Sequence, residues 1–423
     1  MVHRIIPFPR QHETHRQLVG RARPGLGRRR PRLDAIIVPA SRPAGNLDHA
    51  VTLARAVGCT LVVLCSKLAQ AAQVSELLTA RGFGQAVVVD IPDGYEHQML
   101  DFTSSRLMRS QLPPFCKSPN GDLSVKRNLG LLLGRMLGWE RVFFMDDDIR
   151  DVAPADIFAT IAMLGRYRSV GMRVTDFPDN SVVCHAHRET GAAQDIFISG
   201  SVLATNCLQA TSFFPEIYNE DWLFFYDDAH SRRLGGSGRN ATQLKYDPFS
   251  QPQRAERQEF GDVLAEGLYA LLHLGAGAAA ATAEYWKDFL TEREKFLVNI
   301  SSRVSIAAPG IQDKIMDAVE IARKSLAGIT PEMCEDYLNA WQKDLRAWAR
   351  RLQELPHRDS AETALGEFGL QAAAAHGHPS IDELFGHQAE AADLAERSRA
   401  IQIPAPQMPA VAPVATPGEC AAS

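Results

Sequence analysis

No two cysteines in this sequence stand in a CxxC arrangement. The seven present, Cys59, Cys65, Cys116, Cys184, Cys207, Cys334 and Cys420, are scattered, which excludes a zinc-ribbon or redox-pair reading and gives no disulfide framework. Several sit inside apolar runs such as VVLCSK and SVVCHAH, where cysteine acts as a small hydrophobe. An odd, dispersed count fits a reducing compartment, so the expected location is cytoplasmic. Long apolar runs are missing too. The longest, Leu268 to Ala281, is broken by His273 and glycines and is too short to span a bilayer. No apolar core follows the basic start, so no secretory leader is expected. Nor is there a large excess of one charge: 45 basic against 50 acidic residues leave a net charge of −5, which gives nucleic acid no general foothold. That average hides a basic arm, Met1 to Leu33, with nine arginines and the single acid Glu13. Such an arm is expected to be a solvated, disordered tail.

What is present is the balance of a globular chain, 45% hydrophobic and 22% charged, with room in 423 residues for a large catalytic domain and an accessory unit. LDAIIVPAS reads as a buried strand, Asp34 to Val38, ended by Pro39. NLDHAVTLARAVG follows as a helix, with Asn46 as N-cap and Gly58 as stop. CTLVVLCS, QAVVVDIP and ERVFFMDDD are further strands, separated by the helical AQVSELLTARGFG and SVKRNLGLLLGRMLGW. Continuous Val, Ile and Leu strands alternating with helices predict a parallel sheet covered on both faces. Residues 180–250 read as short strands and polar loops. From Gly261 the pattern is helical, and Thr330-Pro331-Glu332 has the form of an N-cap, first-turn proline and dipole-compensating acid. Cys334, Leu338, Trp341, Leu345, Trp348 and Leu352 then form one apolar stripe, expected to pack on the catalytic domain or on a second copy, a homodimer through the C-terminal helices. The expected division is a basic arm over 1–32, a catalytic domain over 33–260, a helical extension over 261–355 and a weakly ordered, Pro- and Ala-rich tail over 356–423.

Three consecutive aspartates, Asp146, Asp147 and Asp148, close the strand RVFFM. Like charges at a strand end are costly unless something positive lies among them. In doubly wound sheets ligands bind outside the carboxyl ends of the strands. In an extended segment Asp146 and Asp148 share one face, while Asp147 can turn back to hold the loop. Beside this trio stand IIVPASRP with Pro39, Ser41 and Arg42, VKRNLG with Lys126, Arg127 and Asn128, and IYNEDWLFFYDD with Glu220 and Asp221.

In order and spacing these four pieces resemble the GT-A-fold glycosyltransferases of the broad family-2-like group, over roughly residues 33–260. The resemblance implies a Rossmann-like, mainly parallel α/β sheet flanked by helices, here with a C-terminal helical extension. It implies transfer of a sugar, a hexose, from a nucleotide-diphosphate sugar to a hydroxyl acceptor with inversion. In that family a DxD-type motif acts with Mn²⁺ or Mg²⁺: Asp148 would ligate the metal, Asp146 would contact the ribose and share the metal, and His273 or His230 would be the further ligand. Pro39, Ser41, Arg42, Lys126, Arg127, Asn128 and Asp147 would line the donor site, with Gly200 and Ser201 of DIFISGSVLAT as its floor. Asp221, beside Glu220, would take the acceptor's proton, and Trp222 would stack on the acceptor sugar. Asn219 would cap the helix that starts there. The acid that holds the base after strand two is replaced by LCSKL, leaving Asp90 after strand three as its substitute, and no QxxRW-like motif follows the acid pair. A sugar-phosphate nucleotidyltransferase would need a glycine-rich loop where PASRPAGN has only Gly45. An aspartyl phosphotransferase would need its nucleophile at strand one. An inactive GT-A-fold binding protein is the remaining alternative.

Overall fold

The computed structural model describes residues 15, 17–21, 31–118, 121–175, 181–192 and 197–373. Cys420, the Pro- and Ala-rich end and most of the basic arm lie outside them. The strands are β1 (Ala35–Ala40), β2 (Thr60–Cys65), β3 (Ala86–Asp90), β4 (Arg141–Met145), β5 (Ile149–Arg150), β6 (Ser169–Val174), β7 (Val202–Asn206) and β8 (Leu234–Gln243). They form one sheet in the order β3-β2-β1-β4-β7-β6-β8-β5. β1 to β4 run parallel, β7 is reversed between β4 and β6, β6 and β8 are parallel, and the short β5 lies antiparallel on β8. The helices are α1 (Asp48–Val57), α2 (Ala71–Ala80), α3 (Thr103–Ser110), α4 (Gly121–Met136), α5 (Pro154–Ile161), α6 (Val182–Glu189), α7 (Glu220–His230), α8 (Arg254–His273), α9 (Ala283–Ser302), α10 (Gln312–Ala327), α11 (Pro331–Glu354) and α12 (Ala361–Gly366).

Alternation along the strands sorts their side chains into two cores. Ile36, Val38, Leu61, Val63, Val88 and Phe143 pack with residues of α1, α2 and α5. Ile37, Val62, Leu64, Val87, Val89 and Phe144 face the other way, in one core with α4, α7, α8 and the later helices. The C-terminal stripe belongs to this second core: Trp348 lies 5.8 Å from Phe102 and Trp341 5.6 Å from Tyr226, centroid to centroid. Burial of Leu338 and Leu352 there is worth about 1.5–3 kcal/mol each. The stripe is thus packed within the chain, with Leu345 its one partly buried member.

Four buried acids fasten the helices further. Asp344 of α11 accepts Thr103 N–H (2.8 Å) and Ser104 N–H (2.7 Å), completing the first turn of α3. In α8, which runs through residue 260, Glu259, Asp262 and Glu266 surround the buried Arg293 of α9. Order also passes residue 356: α12 packs with Leu365 and Phe368 in the core, and Ala373 N–H reaches Val88 O at 2.8 Å. Thr330 caps α11 with its hydroxyl, accepting Met333 N–H. Asn46 does not cap α1; its amide donates to Pro43 O instead. Within the stretch read as short strands and loops, α6 and α7 are helical. No helix among the described residues is long and apolar enough to cross a membrane.

Candidate active site

The strand order places a switch point between β1 and β4, and in such sheets ligands bind beyond the carboxyl ends of the strands at that point. β1 runs through Pro39 to Ala40 beside β2, but its pairing with β4 stops at Ile37. Pro39 has no N–H to offer a ladder, so the two strands part without an orphaned donor there. α4 lies close over this seam because it presents glycine to it. A Cβ on Gly130 would stand 2.9 Å from Ile37 and 3.0 Å from Phe144, and one on Gly134 would stand 2.7 Å from Cys207 Sγ. That approach delivers Lys126, Arg127 and Asn128 to the strand ends, where all three are buried.

Two arginines stand among the three aspartates. The aspartates form a turn closed by Ile149 N–H to Asp146 O at 3.1 Å. Asp147 turns back to β1: its Oδ2 accepts Ser41 N–H (2.7 Å) and Arg42 N–H (2.8 Å), and its Oδ1 accepts from the Arg42 guanidinium. The other arm of Arg42 reaches Asp148 Oδ2 at 2.8 Å, and Gln243 at the end of β8 donates to the same oxygen at 3.0 Å. Burial, then the neighbouring Asp146, push the Asp148 carboxyl up to about 6 against the pull of Arg42. Asp146 holds both oxygens on Arg127 Nη2, at 3.0 and 3.1 Å.

Arg127 links the trio to the acid pair of α7. Its Nη1 donates to Glu220 Oε1, so one buried guanidinium joins β4 to the first turn of α7. Asp221 accepts Gly200 N–H on Oδ2 (2.8 Å) and Trp222 N–H on Oδ1 (2.9 Å). Burial raises both carboxyls of the pair, and the positive charge of Arg127 opposes the rise. Asn219 takes a left-handed conformation (φ 62°) rather than capping with its side chain, and its amide donates to Asp262 of α8 at 2.8 Å. Gly200 admits the guanidinium: a Cβ would meet Arg127 Nη1 at 2.7 Å and Asp221 Cβ at 3.1 Å. Gly200→Ala is therefore expected to lower stability by about 1–3 kcal/mol and to separate Arg127 from Glu220. Urea unfolding and a crystal structure of the variant check both.

Several residues stand elsewhere than the sequence suggested. Lys126 is on neither a solvated helix face nor an open ligand face: its ammonium is sealed against Ala40 O (3.0 Å), Ser66 Oγ (2.8 Å) and Asp122 (3.1 Å). Asn128 clasps the Phe214 backbone at N and O, both at 2.8 Å. Ser201 contributes its carbonyl, which accepts Asp146 N–H at 3.0 Å. Trp222 is 6% exposed and packed between His15 and Tyr269, so it offers no face for stacking. Asp90 caps α2 through Ala71 N–H. His230 ends α7 on the surface.

His273 ends α8 near His15 and does not gather with Asp146 and Asp148. Among the described residues, the trio of possible ligands whose donor atoms lie within 4.8 Å of one another is Cys184, Asp262 and Glu266. There Arg293 already supplies the positive charge. The sequence reading missed Gln243, which no local pattern announces. It also missed the Ser66–Asp122 pair and His15. A cavity of about 690 Å³ opens beside Ser66 and Asp122, lined also by Tyr95, Arg109 and Phe214, a size that takes a small ligand.

No family model and no curated protein matches the chain. Among solved structures it is similar to the mannosyltransferase PcManGT from Pyrobaculum calidifontis in complex with GDP-Man and Mn²⁺. The identity is 14%, the match covers 71% of this chain and 88% of that one, and the TM-score is 0.37. A likeness this distant carries no weight in assigning the function.

Proposed function

We propose that the protein is an inverting glycosyltransferase that uses a nucleotide-diphosphate sugar, a divalent cation and a hydroxyl acceptor. The observation that carries this reading is the meeting of two carboxylate groups with different duties across one arginine. The aspartate trio lies at the switch point of the sheet, and the Glu220–Asp221 pair of α7 meets it through Arg127.

The donor set suits a hard cation such as Mn²⁺ or Mg²⁺. Its atoms are carboxylate oxygens, and no hydrogen-bond donor among the described residues reaches Asp148 Oδ1. In this reading Asp148, with Asp146, holds the cation. When bound, the cation offsets the negative charge that grows on the departing nucleoside diphosphate. Asp147 keeps the Ser41–Arg42 turn in place, and Arg42 swings from Asp148 toward the donor phosphates. Asp221 takes the acceptor's proton: two backbone amides fix its direction, whereas Glu220 is held in an ion pair with Arg127. Glu220 is a positioning residue that transmits the place of Arg127 to α7.

The test is release of nucleoside diphosphate from UDP- and GDP-sugars with Mn²⁺ and simple glycoside acceptors. Release that disappears in Asp148→Ala supports the reading, and release indifferent to that change refutes the metal assignment. Arg42 competes with a cation for Asp148, and its side chain is half exposed. Arg42→Met is therefore expected to tighten binding of Mn²⁺ alone, read as loss of the free-ion electron paramagnetic resonance signal. Weaker binding by the variant would show Arg42 to be a support for the site rather than an occupant of it.

A further inference from the structure

His15 lies in the arginine-rich arm, yet it is wholly buried. Centroid to centroid, its ring stands 4.4 Å from Trp222, 4.6 Å from Tyr269 and, in an edge-on pair, 6.3 Å from Phe225. Nδ1 accepts Ile198 N–H at 2.8 Å. The proton of the neutral ring therefore rests on Nε2, which is buried with no hydrogen-bond partner among the described residues. An orphaned N–H opposes folding, and an apolar side chain in the same slot would avoid it. What the imidazole adds, and an apolar residue lacks, is the acceptor at Nδ1.

That acceptor bears on Asp221 from two sides. Ile198 begins the turn whose Gly200 N–H holds Asp221 Oδ2. The ring also packs on Trp222, whose own N–H holds Asp221 Oδ1. The segment that carries His15 is fastened beyond it. Arg232 donates to Gln17 O, Leu18 is buried, and Gly20 pairs in parallel with β8 through Gly20 N–H to Leu234 O (2.9 Å) and Gly236 N–H to Gly20 O (3.0 Å). Gly20 is required there, because a Cβ would stand 2.4 Å from the Tyr167 ring. Burial, with some help from His273, holds the His15 ring down to about 3, so at ordinary pH Nδ1 keeps the lone pair that accepts Ile198 N–H.

We propose that residues 15 and 17–21 are a strap on the edge of the sheet, and that His15 is a positioning residue which, through Nδ1, holds the Ile198–Ser201 turn against Asp221. The strap itself follows from the contacts alone; its catalytic consequence rests on Asp221 being the base.

The experiment uses the full chain with His15→Ala, His15→Gln and His15→Asn. Asparagine puts an acceptor where Nδ1 stands, and glutamine puts one where Nε2 stands. Hydrogen exchange followed by mass spectrometry is read at Ile198–Ser201 and Glu220–Trp222, with β1 to β3 as internal control. The Ala and Gln variants should exchange at least about tenfold faster at both places with the control unchanged, an opening equilibrium shifted by about 1.4 kcal/mol, and the Asn variant should return to the wild-type rate. Unchanged exchange in His15→Ala overturns the strap. Equal loosening in all three variants overturns the Nδ1 role and leaves ring packing as the cause. For the catalytic consequence, His15→Gln should lower kcat at unchanged donor KM, and His15→Asn should restore it. Should exchange respond as expected while the wild-type protein releases no nucleotide from any donor, the strap stands and the transferase reading falls.

Discussion

Arg127→Met is expected to destabilise the protein by about 3–5 kcal/mol at neutral pH, the range for removing one partner of a buried ion pair. The guanidinium is almost fully buried and serves Asp146 and Glu220 directly, with Asp221 close by. Its plane also lies over Phe214, 5.4 Å from the ring centre. Methionine fills much of the space but leaves three carboxylates facing one another with no cation. They would relieve this by binding protons, which sets the pH dependence. Burial already raises the Glu220 and Asp221 carboxyls above their unfolded values, and Arg127 opposes that rise. Without Arg127 they rise further. A carboxyl raised on folding penalises the native state above its unfolded pKa, and the penalty fades as pH falls. The deficit of the variant should thus be largest near pH 8 and shrink toward pH 5. Urea unfolding at the two pH values measures it, and an equal deficit at both would show that lost packing rather than lost charge is the cause.

Asp221→Asn should remove about 10²- to 10⁴-fold of turnover, the usual contribution of a positioned general base, while nucleotide affinity stays the same. Asparagine keeps one acceptor oxygen, enough for Gly200 N–H and the turn before β7, and gives up the acceptor for Trp222 N–H. The element lost to catalysis is the ability to take a proton. In the wild-type protein that ability requires the ionised form, and burial raises the carboxyl. Activity should therefore fall off on the acid side above the ordinary carboxylate range, about 4, and the variant's residual rate should lose that limb. Turnover unchanged in Asp221→Asn would remove the base assignment outright. Glu220→Gln is the control, since it disturbs Arg127 as well and should lower stability along with rate.

The parallel half of the sheet was legible because its strands carry a local signal. IIV, LVVL, VVV and VFF read as buried strands from composition alone, and the Gly58 stop takes the left-handed geometry expected of it (φ 74°). The carboxyl end of β4 was legible as a place where charge gathers, because three adjacent aspartates follow an apolar run, and Arg42 and Arg127 meet them there. What local pattern does not carry is long-range pairing. The partners of Asp147 and Asp148 are Arg42 and Gln243, about a hundred residues away in either direction. Lys126 and Asn128 were expected to line the donor site, but this part of α4 is buried, so they serve as internal fasteners. Trp222 follows the acid pair in sequence yet points into the core, as helical geometry allows for a residue one step on. His15 sat in a stretch whose composition argued for a tail, and only its docking between Trp222 and Tyr269 shows otherwise.

The central claim, a nucleotide site built around a cation at Asp148, is tested most directly by calorimetric titration of UDP, GDP and their sugar conjugates in Mn²⁺ and again in EDTA. The account predicts that one nucleotide binds in Mn²⁺, that EDTA abolishes the binding, and that Asp148→Asn abolishes it in the presence of Mn²⁺. Binding that is the same in EDTA, or no binding by any of these nucleotides, would contradict it.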